Sequence, residues 1–320
     1  MIAHIAAATL AFIFDRLIGD PPHWPHPVRF IGAMIKWLES RLNKGSFLKI
    51  KGVLMLLLVL GSVFGIGISV IIASYHIHIG LGIVAEAILI FFSIACRSLK
   101  EAGISVYEPL QTGDLEQARL KLSYIVGRDT ASLNESEIAR GAIETVAENT
   151  SDGVTAPLFW ALIGGGAAAM IYRAINTCDS MVGYQNEKYQ AFGWASARLD
   201  DAVNWLPARL TAVVMLWSYP ESPYKKGQVW QIIKRDAPKH PSPNSGWGEA
   251  AVAGLLGIEL GGINTYGNRV SDRARMGNGD HHKSASHILM SITIMERTSL
   301  LFLLLMWIGG IIYELAGSWI

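Results

Sequence analysis

Glu137, Arg140, Glu144 and Glu148 follow one another at spacings of three, four and four residues. On an α-helix that spacing brings all four side chains to one face. Asn149 and Asp152 come next, just ahead of an apolar run that begins at Gly153. A row of carboxylates ending at a membrane boundary could hold Mg2+, a hard cation that takes carboxylate oxygens and keeps waters. The commoner origin of such a row is a solvated helix face with Glu–Arg pairs.

Three further stretches concentrate groups able to do chemistry. Asn176-Thr177-Cys178-Asp179-Ser180-Met181-Val182-Gly183-Tyr184 directly follows an apolar run. Polar density beside a membrane span is costly unless it lines a cavity or an interface. Arg198, Asp200, Asp201 and Asn204 precede the next apolar run, where the aspartates could equally be helix caps. The third is Arg235-Asp236-Ala237-Pro238-Lys239-His240-Pro241-Ser242-Pro243-Asn244-Ser245-Gly246. Its three prolines stiffen a loop that presents Arg, Lys, His, Asn and Ser together, and the helix start after it offers backbone donors suited to an anion. The loop Asp20-Pro21-Pro22-His23-Trp24-Pro25-His26-Pro27-Val28-Arg29 has the same character.

Other features carry less. No G-x-x-x-x-G-K-[ST] occurs, so a P-loop is absent. Gly164-Gly165-Gly166 lies inside an apolar run and reads as close helix packing. His281-His282 falls in an exposed polar tract, and His76 and His78 mark a membrane-interface turn. Cys96 and Cys178 belong to no CxxC or Cys/His cluster, which excludes a disulfide scaffold and a structural zinc site.

These residues must be positioned by elements that composition already constrains. Charged residues make up 17% of 320, hydrophobic ones 51%, and mean hydropathy is +0.32. An ordinary soluble protein has roughly 25% charge. The net charge of +1 gives nothing for nucleic acid to recognise. A span needs about 20 apolar residues, and the candidate segments are 2–18, 53–73, 80–96, 153–172, 202–220 and 298–318. Between them lie polar blocks at 97–152, 173–201 and 221–297. The expected fold is therefore all-α: a polytopic integral membrane protein, one domain over 1–320, with cytoplasmic polar helices and loops. Ser132-x-x-Glu135 has the form of a capping box for a helix running to about Asn149, and a small-residue helix is expected over Gly246–Leu260. Lys and Arg flanking the 52–96 hairpin, and those of 225–239, place these ends in the cytoplasm. Two full crossings after Asp152 would put 173–201 outside, which leaves the side of that block ambiguous.

Several of these motifs together resemble the cobalamin-biosynthesis CbiB/CobD family, the adenosylcobinamide-phosphate synthases. They are Asp15-Arg16-Leu17-Ile18-Gly19-Asp20-Pro21-Pro22 with His26-Pro27-Val28, Gly127-Arg128-Asp129-Thr130, and Glu144 through Gly153 with Ala156-Pro157-Leu158-Phe159. Asn176 through Tyr184, Ser196 through Asp201, Pro207-Ala208-Arg209-Leu210 and His240 through Gly246 complete the set. The resemblance covers roughly residues 10–270 in order. Its departures are Cys178 in place of Leu and Arg173 in place of Lys. It implies a membrane ligase that consumes ATP to join a carboxylate of adenosylcobyric acid to (R)-1-amino-2-propanol O-2-phosphate, or to the free amino alcohol. Its partners would be these two substrates, membrane lipid and other enzymes of the pathway.

Under that resemblance, residue chemistry suggests roles. Mg2+ on Glu144, Glu148 and Asp152 would neutralise the nucleotide, with Arg128, Arg235 and Lys239 on phosphates. His240 or Asp179 would deprotonate the amine, with Glu148 catalytic beside them. Asn149, Asn244 and Ser245 would orient substrates, and Asp20, His26, Arg29, Asp129, Asn176, Arg198, Asp200 and Asp201 complete the binding set. A corrinoid transporter is the competing class, but its usual internal repeat is absent. A non-catalytic scaffold would not need so many polar motif loops.

Overall fold

The computed structural model describes residues 1–21, 24–267 and 269–317. Pro22 and His23 of the N-terminal loop, and Ser318 at the end of the last expected span, lie outside the described residues. Twelve described helices run α1 (Ile2–Ile18), α2 (Pro27–Leu42), α3 (Leu48–Ile77), α4 (Ile79–Phe91), α5 (Cys96–Gln111), α6 (Leu115–Ser123), α7 (Glu135–Thr150), α8 (Ala156–Val182), α9 (Trp194–Ser218), α10 (Lys226–Asp236), α11 (Ser245–Leu256) and α12 (Ala285–Gly317). One antiparallel hairpin, β1 (Leu260–Tyr266) and β2 (Arg269–Met276), is the exception to the all-α expectation.

Four described stretches are long and apolar enough to cross a membrane: Leu48–Ile77, Ile79–Gln111, Glu135–Val182 and Ala285–Leu315. The expected spans 2–18 and 202–220 form α1 and α9 but are not among these four. The first has only 17 residues, and the second carries Arg198, Asp200, Asp201 and Arg209 on its helix. The α3–α4 break falls at His78, whose extended backbone ends one helix and whose ring caps the next by accepting from the Gly80 amide. The helix start near Ser132 is shifted: Asn134 caps α7, its side chain accepting from the Glu137 amide at 3.0 Å. Helix α11 stops at Leu256 rather than Leu260, because Gly257 turns left-handed there.

The chain divides into two compact units. Apolar runs and polar blocks alternate, so each unit collects stretches distant in sequence. Unit 1 comprises 1–95, 156–204 and 303–320; unit 2 comprises 96–155 and 205–302.

The core of unit 1 joins Ile31, Ile35 and Leu38 of α2 with Met55, Val59 and Val63 of α3 and Met170, Ala174 and Cys178 of α8. The spacings of three and four residues are those of one apolar stripe per helix. Helix α8 is not continuous. Gly164 and Gly165 leave helical geometry, Gly165 at φ +62°. The glycine triplet is thus a break as well as a packing point. Buried Glu86 of α4 lies against it and accepts His4 Nδ1 at 2.7 Å.

Unit 2 is organised by α7, which passes through a π-helical turn, Ser151–Thr155, before α8. Helix α11 packs on α7 closely enough that a Cβ at Gly248 would fall 2.6 Å from the Ala147 carbonyl oxygen. The β1 strand carries a bulge between Leu260 and Gly262. Gly261 takes φ +84° there, a conformation other residues rarely hold.

Candidate functional site

The α7 face builds the site in unit 2. Arg140 is 1% exposed and bonds in both directions along its own helix. Its Nε donates to Glu137 at 2.9 Å and its Nη1 to Glu144 at 3.1 Å. Nη2 reaches the hairpin, donating to the Ile263 carbonyl at 2.8 Å and to Asn264 Oδ1 at 3.0 Å. Glu144 receives a second guanidinium, Arg128 Nη2 at 2.8 Å, and the Gly261 amide at 2.9 Å. Arg128 also donates to Asn264. The bulge in β1 therefore aims a backbone donor at a buried carboxylate. The Glu–Arg pairing that the spacing allows is present, but buried rather than solvated.

These bonds bear on the expected metal triad. Both oxygens of Glu144 are occupied by protein donors. Among the described residues no group of three or more His, Cys, Asp or Glu gathers as a metal centre. Glu144, Glu148 and Asp152 do not fit a shared Mg2+ site, and Arg128 is a partner of Glu144 rather than a free phosphate ligand. Asp129 is likewise structural: its carboxylate accepts the Gly267 amide at 2.8 Å and its own amide donates to the Thr265 carbonyl at 2.8 Å, pinning the hairpin.

The proline-stiffened loop approaches the same face. Ser245 Oγ donates to Glu148 Oε1 at 2.8 Å. Ser242 Oγ accepts the amides of Asn244 and Ser245, each at 3.2 Å. His240 Nδ1 faces both the Ser242 amide at 3.0 Å and the Ser242 carbonyl at 3.3 Å. Its Nε2 lies 3.5 Å from Glu249 Oε1. Burial, and then the charge of Arg273, push His240 below the usual histidine value. Asn244 is buried, with its Oδ1 3.5 Å from Arg209 Nη1.

Arg235 and Lys239 do not face an open phosphate site. Arg235 Nε donates to Asp236 at 2.8 Å and Lys239 Nζ at 2.7 Å, and the Gly277 amide adds a third bond at 3.0 Å. Asp236 is fully buried. Burial opposes its ionisation, but these donors outweigh that and hold it at about 2. The two cations anchor the loop.

A polar pocket of about 140 Å3 opens beside these groups. Arg128, Glu144, Glu148, Asn149, Glu249 and Arg273 supply its chemistry. Asn149 donates to the Thr145 carbonyl at 2.9 Å, which leaves its Oδ1 available. Glu249, Arg273 and Asn264 are absent from the sequence-derived set. The signal for Glu249 is its isolation: it is the one acid in a helix otherwise made of Gly, Ala, Val, Leu, Ser and Trp. Burial, and then the charges of Glu144 and Glu148, raise its carboxyl well above the usual range.

Unit 1 gathers a second polar group. Asp200 is buried, and its carboxylate accepts Asn204 Nδ2 at 3.0 Å and Asn176 Nδ2 at 3.4 Å. Tyr172 Oη orients Asn204 by donating to its Oδ1 at 2.7 Å. Asp200 stands ahead of the apolar run from Ala202. Burial, and then the charge of Asp179, push it up to about 7. Asn176 and Asp200 thus meet, with the charge of Asp179 nearby, while Arg198 is exposed and Asp201 half-buried. In the N-terminal loop His26 caps α2, accepting the Val28 amide at 3.2 Å, and its Nε2 lies 3.3 Å from Asp20. Arg29 is on the exposed side of α2.

Helices able to cross a membrane, together with a unit lined by buried acids and arginines, define a polytopic membrane protein with a polar, chemically equipped unit. The chain belongs to the family described as CobD/Cbib protein, whose profile matches residues 8–295. It is 54% identical over 318 residues to "Cobalamin biosynthesis protein CobD" of Halalkalibacterium halodurans, covering 98% of this chain and 100% of that protein. It is 42% identical to the Klebsiella pneumoniae protein of the same name, over 98% of this chain and 99% of that one. "Cobalamin biosynthesis protein CbiB" of Salmonella typhimurium is 42% identical over 94% of this chain and 96% of its own length. No solved structure matches the chain.

Proposed function

We propose that this protein acts in cobalamin biosynthesis as an ATP-dependent amide ligase. It joins a carboxylate of adenosylcobyric acid to the amine of (R)-1-amino-2-propanol O-2-phosphate, or of the free amino alcohol. Family membership over most of the chain and the names of its relatives support the pathway. The observation that carries the choice of site is the Ser245–Glu148 hydrogen bond, which joins the proline-stiffened loop to the α7 carboxylates.

A carboxylate is a poor electrophile, so amide formation needs activation. A carboxylate oxygen of the corrinoid attacks the γ-phosphorus of ATP and ADP leaves. The amine nitrogen then attacks the acyl carbon, inorganic phosphate leaves, and the nitrogen gives up a proton. Phosphoryl transfer is mostly positioning and charge neutralisation. Mg2+ enters with ATP as part of the substrate. Since the three carboxylates do not fit a shared site, no step is routed through a resident ion. Glu148 and His240 in unit 2 are the proton acceptors closest in kind to that task, while Asn149 and Ser245 orient substrate. ATP is cytosolic, so the site faces the cytoplasm of the cell membrane.

The test uses the detergent-purified chain with adenosylcobyric acid, aminopropanol phosphate and MgATP, with product read by mass spectrometry. ATP-dependent amide formation that is lost in Glu148→Gln is the expected result. Corrinoid binding without any product would overturn the ligase and favour transport, the function to which the break in α8 is best suited.

A further inference from the structure

The pocket of unit 2 has an imbalance that its protein partners do not correct. Of its three carboxylates only Glu144 is matched by guanidinium groups. Glu148 receives one neutral hydroxyl. Glu249 is 1% exposed, and its Oε2 has no hydrogen-bond partner among the described residues, nor does His240 Nε2 beside it. A buried polar atom without a partner costs on the order of 1–3 kcal/mol, and in a native protein each such atom calls for an explanation such as a functional role or a bound species.

The missing partner is a cation with hydrogens to donate. A metal ion would need more oxygens than the pocket assembles, and no such group is gathered among the described residues. A primary ammonium has three donors and a single charge, which suits Glu148 and Glu249 in a confined space: burial favours the protonated form of Glu249, and the ammonium brings the counter-charge against which it ionises. Arg273 lines the same pocket and donates from Nη2 to Tyr266 Oη at 3.1 Å, leaving guanidinium donors for an anion. Arg128 is held by Glu144 and Asn264 through its two terminal nitrogens, which leaves only its Nε without a partner among the described residues. At about 140 Å3 the pocket is smaller than the roughly 300–1,000 Å3 of sites for drug-sized ligands. Its volume matches a ligand of a few heavy atoms.

We propose that this pocket is a binding site for a small zwitterion, whose primary ammonium sits between Glu148 and Glu249 and whose phosphate meets Arg273. The pocket chemistry defines the class of ligand; only its naming as the amine substrate rests on the ligase reading. Glu249 is then the residue that selects an amine over an alcohol, and Arg273 the one that selects the phosphorylated form.

The experiment is calorimetric binding to the full-length protein in detergent, without ATP or corrinoid. The probes are 1-amino-2-propanol phosphate, 1-amino-2-propanol, and propanediol phosphate, which lacks the amine. The wild-type chain is expected to bind the first most tightly and propanediol phosphate at least about 10-fold more weakly, as a lost charge-assisted contact requires. Glu249→Gln, nearly the same shape, should erase that tenfold preference for the amine. Arg273→Gln should erase the preference for the phosphate while keeping affinity for the free amino alcohol. Thermal unfolding of each variant separates lost binding from lost folding, and Glu249→Asp should restore part of the affinity. Equal affinity of Glu249→Gln and wild type for aminopropanol phosphate, no binding by the wild type, or Mg2+ displacing the amine would each overturn the site. The expected binding without amide formation would sink the ligase reading and leave the site standing. Amide formation by Glu249→Gln at an unchanged KM for the amine would sink the site and leave the ligase standing.

Discussion

Glu144 and Asp200 are both buried carboxylates on helices, one in each unit, and their surroundings differ in kind. Glu144 is gripped by two guanidinium groups and a backbone amide. Asp200 is met by the amides of Asn176 and Asn204, with the charge of Asp179 nearby. The first arrangement fixes an anion permanently and uses it to tie α7 to the hairpin. The second leaves an acid whose charge is decided near neutral pH. A buried acid is therefore not evidence of reactivity in itself. What matters is whether the protein has already supplied its counter-charge.

That contrast can be tested by removing the counter-charge first. Arg140→Ala leaves Glu144 and Glu137 short of a partner inside unit 2. Breaking a buried pair from one side costs about 3–5 kcal/mol, so the thermal midpoint in detergent should fall sharply or the chain should not fold. A variant with wild-type stability would show that the α7 network is ornamental.

Asp200→Asn should act through pH. The folded carboxyl titrates at about 7, above its ordinary 3.8. A raised carboxyl contributes stability that is complete below the ordinary value and is lost as pH rises to about 7. Asparagine cannot ionise, so the variant should lack the decline in thermal midpoint over that window. A wild-type profile already flat there would dissolve the comparison. Tyr172→Phe is the finest probe. It removes the donor that orients Asn204, at a cost of about 1 kcal/mol, and should move the Asp200 titration further upward. An unmoved profile would mean that Asn204 needs no such orientation.

Much of the framework is legible in the chain. Residues 2–18 form α1 as the apolar run indicates, and the turn near His78 falls where the 52–96 run must fold back. The motif loops are also legible because proline and serine leave local marks: His240, Ser242 and Ser245 organise one another within six residues. The rest depends on distant partners. Strand β2, with Arg269, Asp272, Arg273 and Arg275, lacks the apolar alternation that reveals a half-buried strand. Its pairing with β1 supplies what its pattern does not. The spacing of Glu144, Glu148 and Asp152 suggested one metal site, but spacing on a helix cannot disclose that Arg128 and Gly261 have claimed Glu144. Glu249 carries no sequence mark for the opposite reason, since it has no charged neighbour in sequence to form a motif with.

The bond from the Gly261 amide to Glu144 spans 117 residues. Synthesis at roughly 5–20 residues per second separates their emergence from the ribosome by on the order of ten seconds. During that interval α7 exists without the hairpin that later covers its charged face. Arg140, lying three residues from Glu137 and four from Glu144, can neutralise both at once from within the same helix. The local pairs are thus a temporary counter-charge for the nascent chain, kept and built upon when the hairpin arrives.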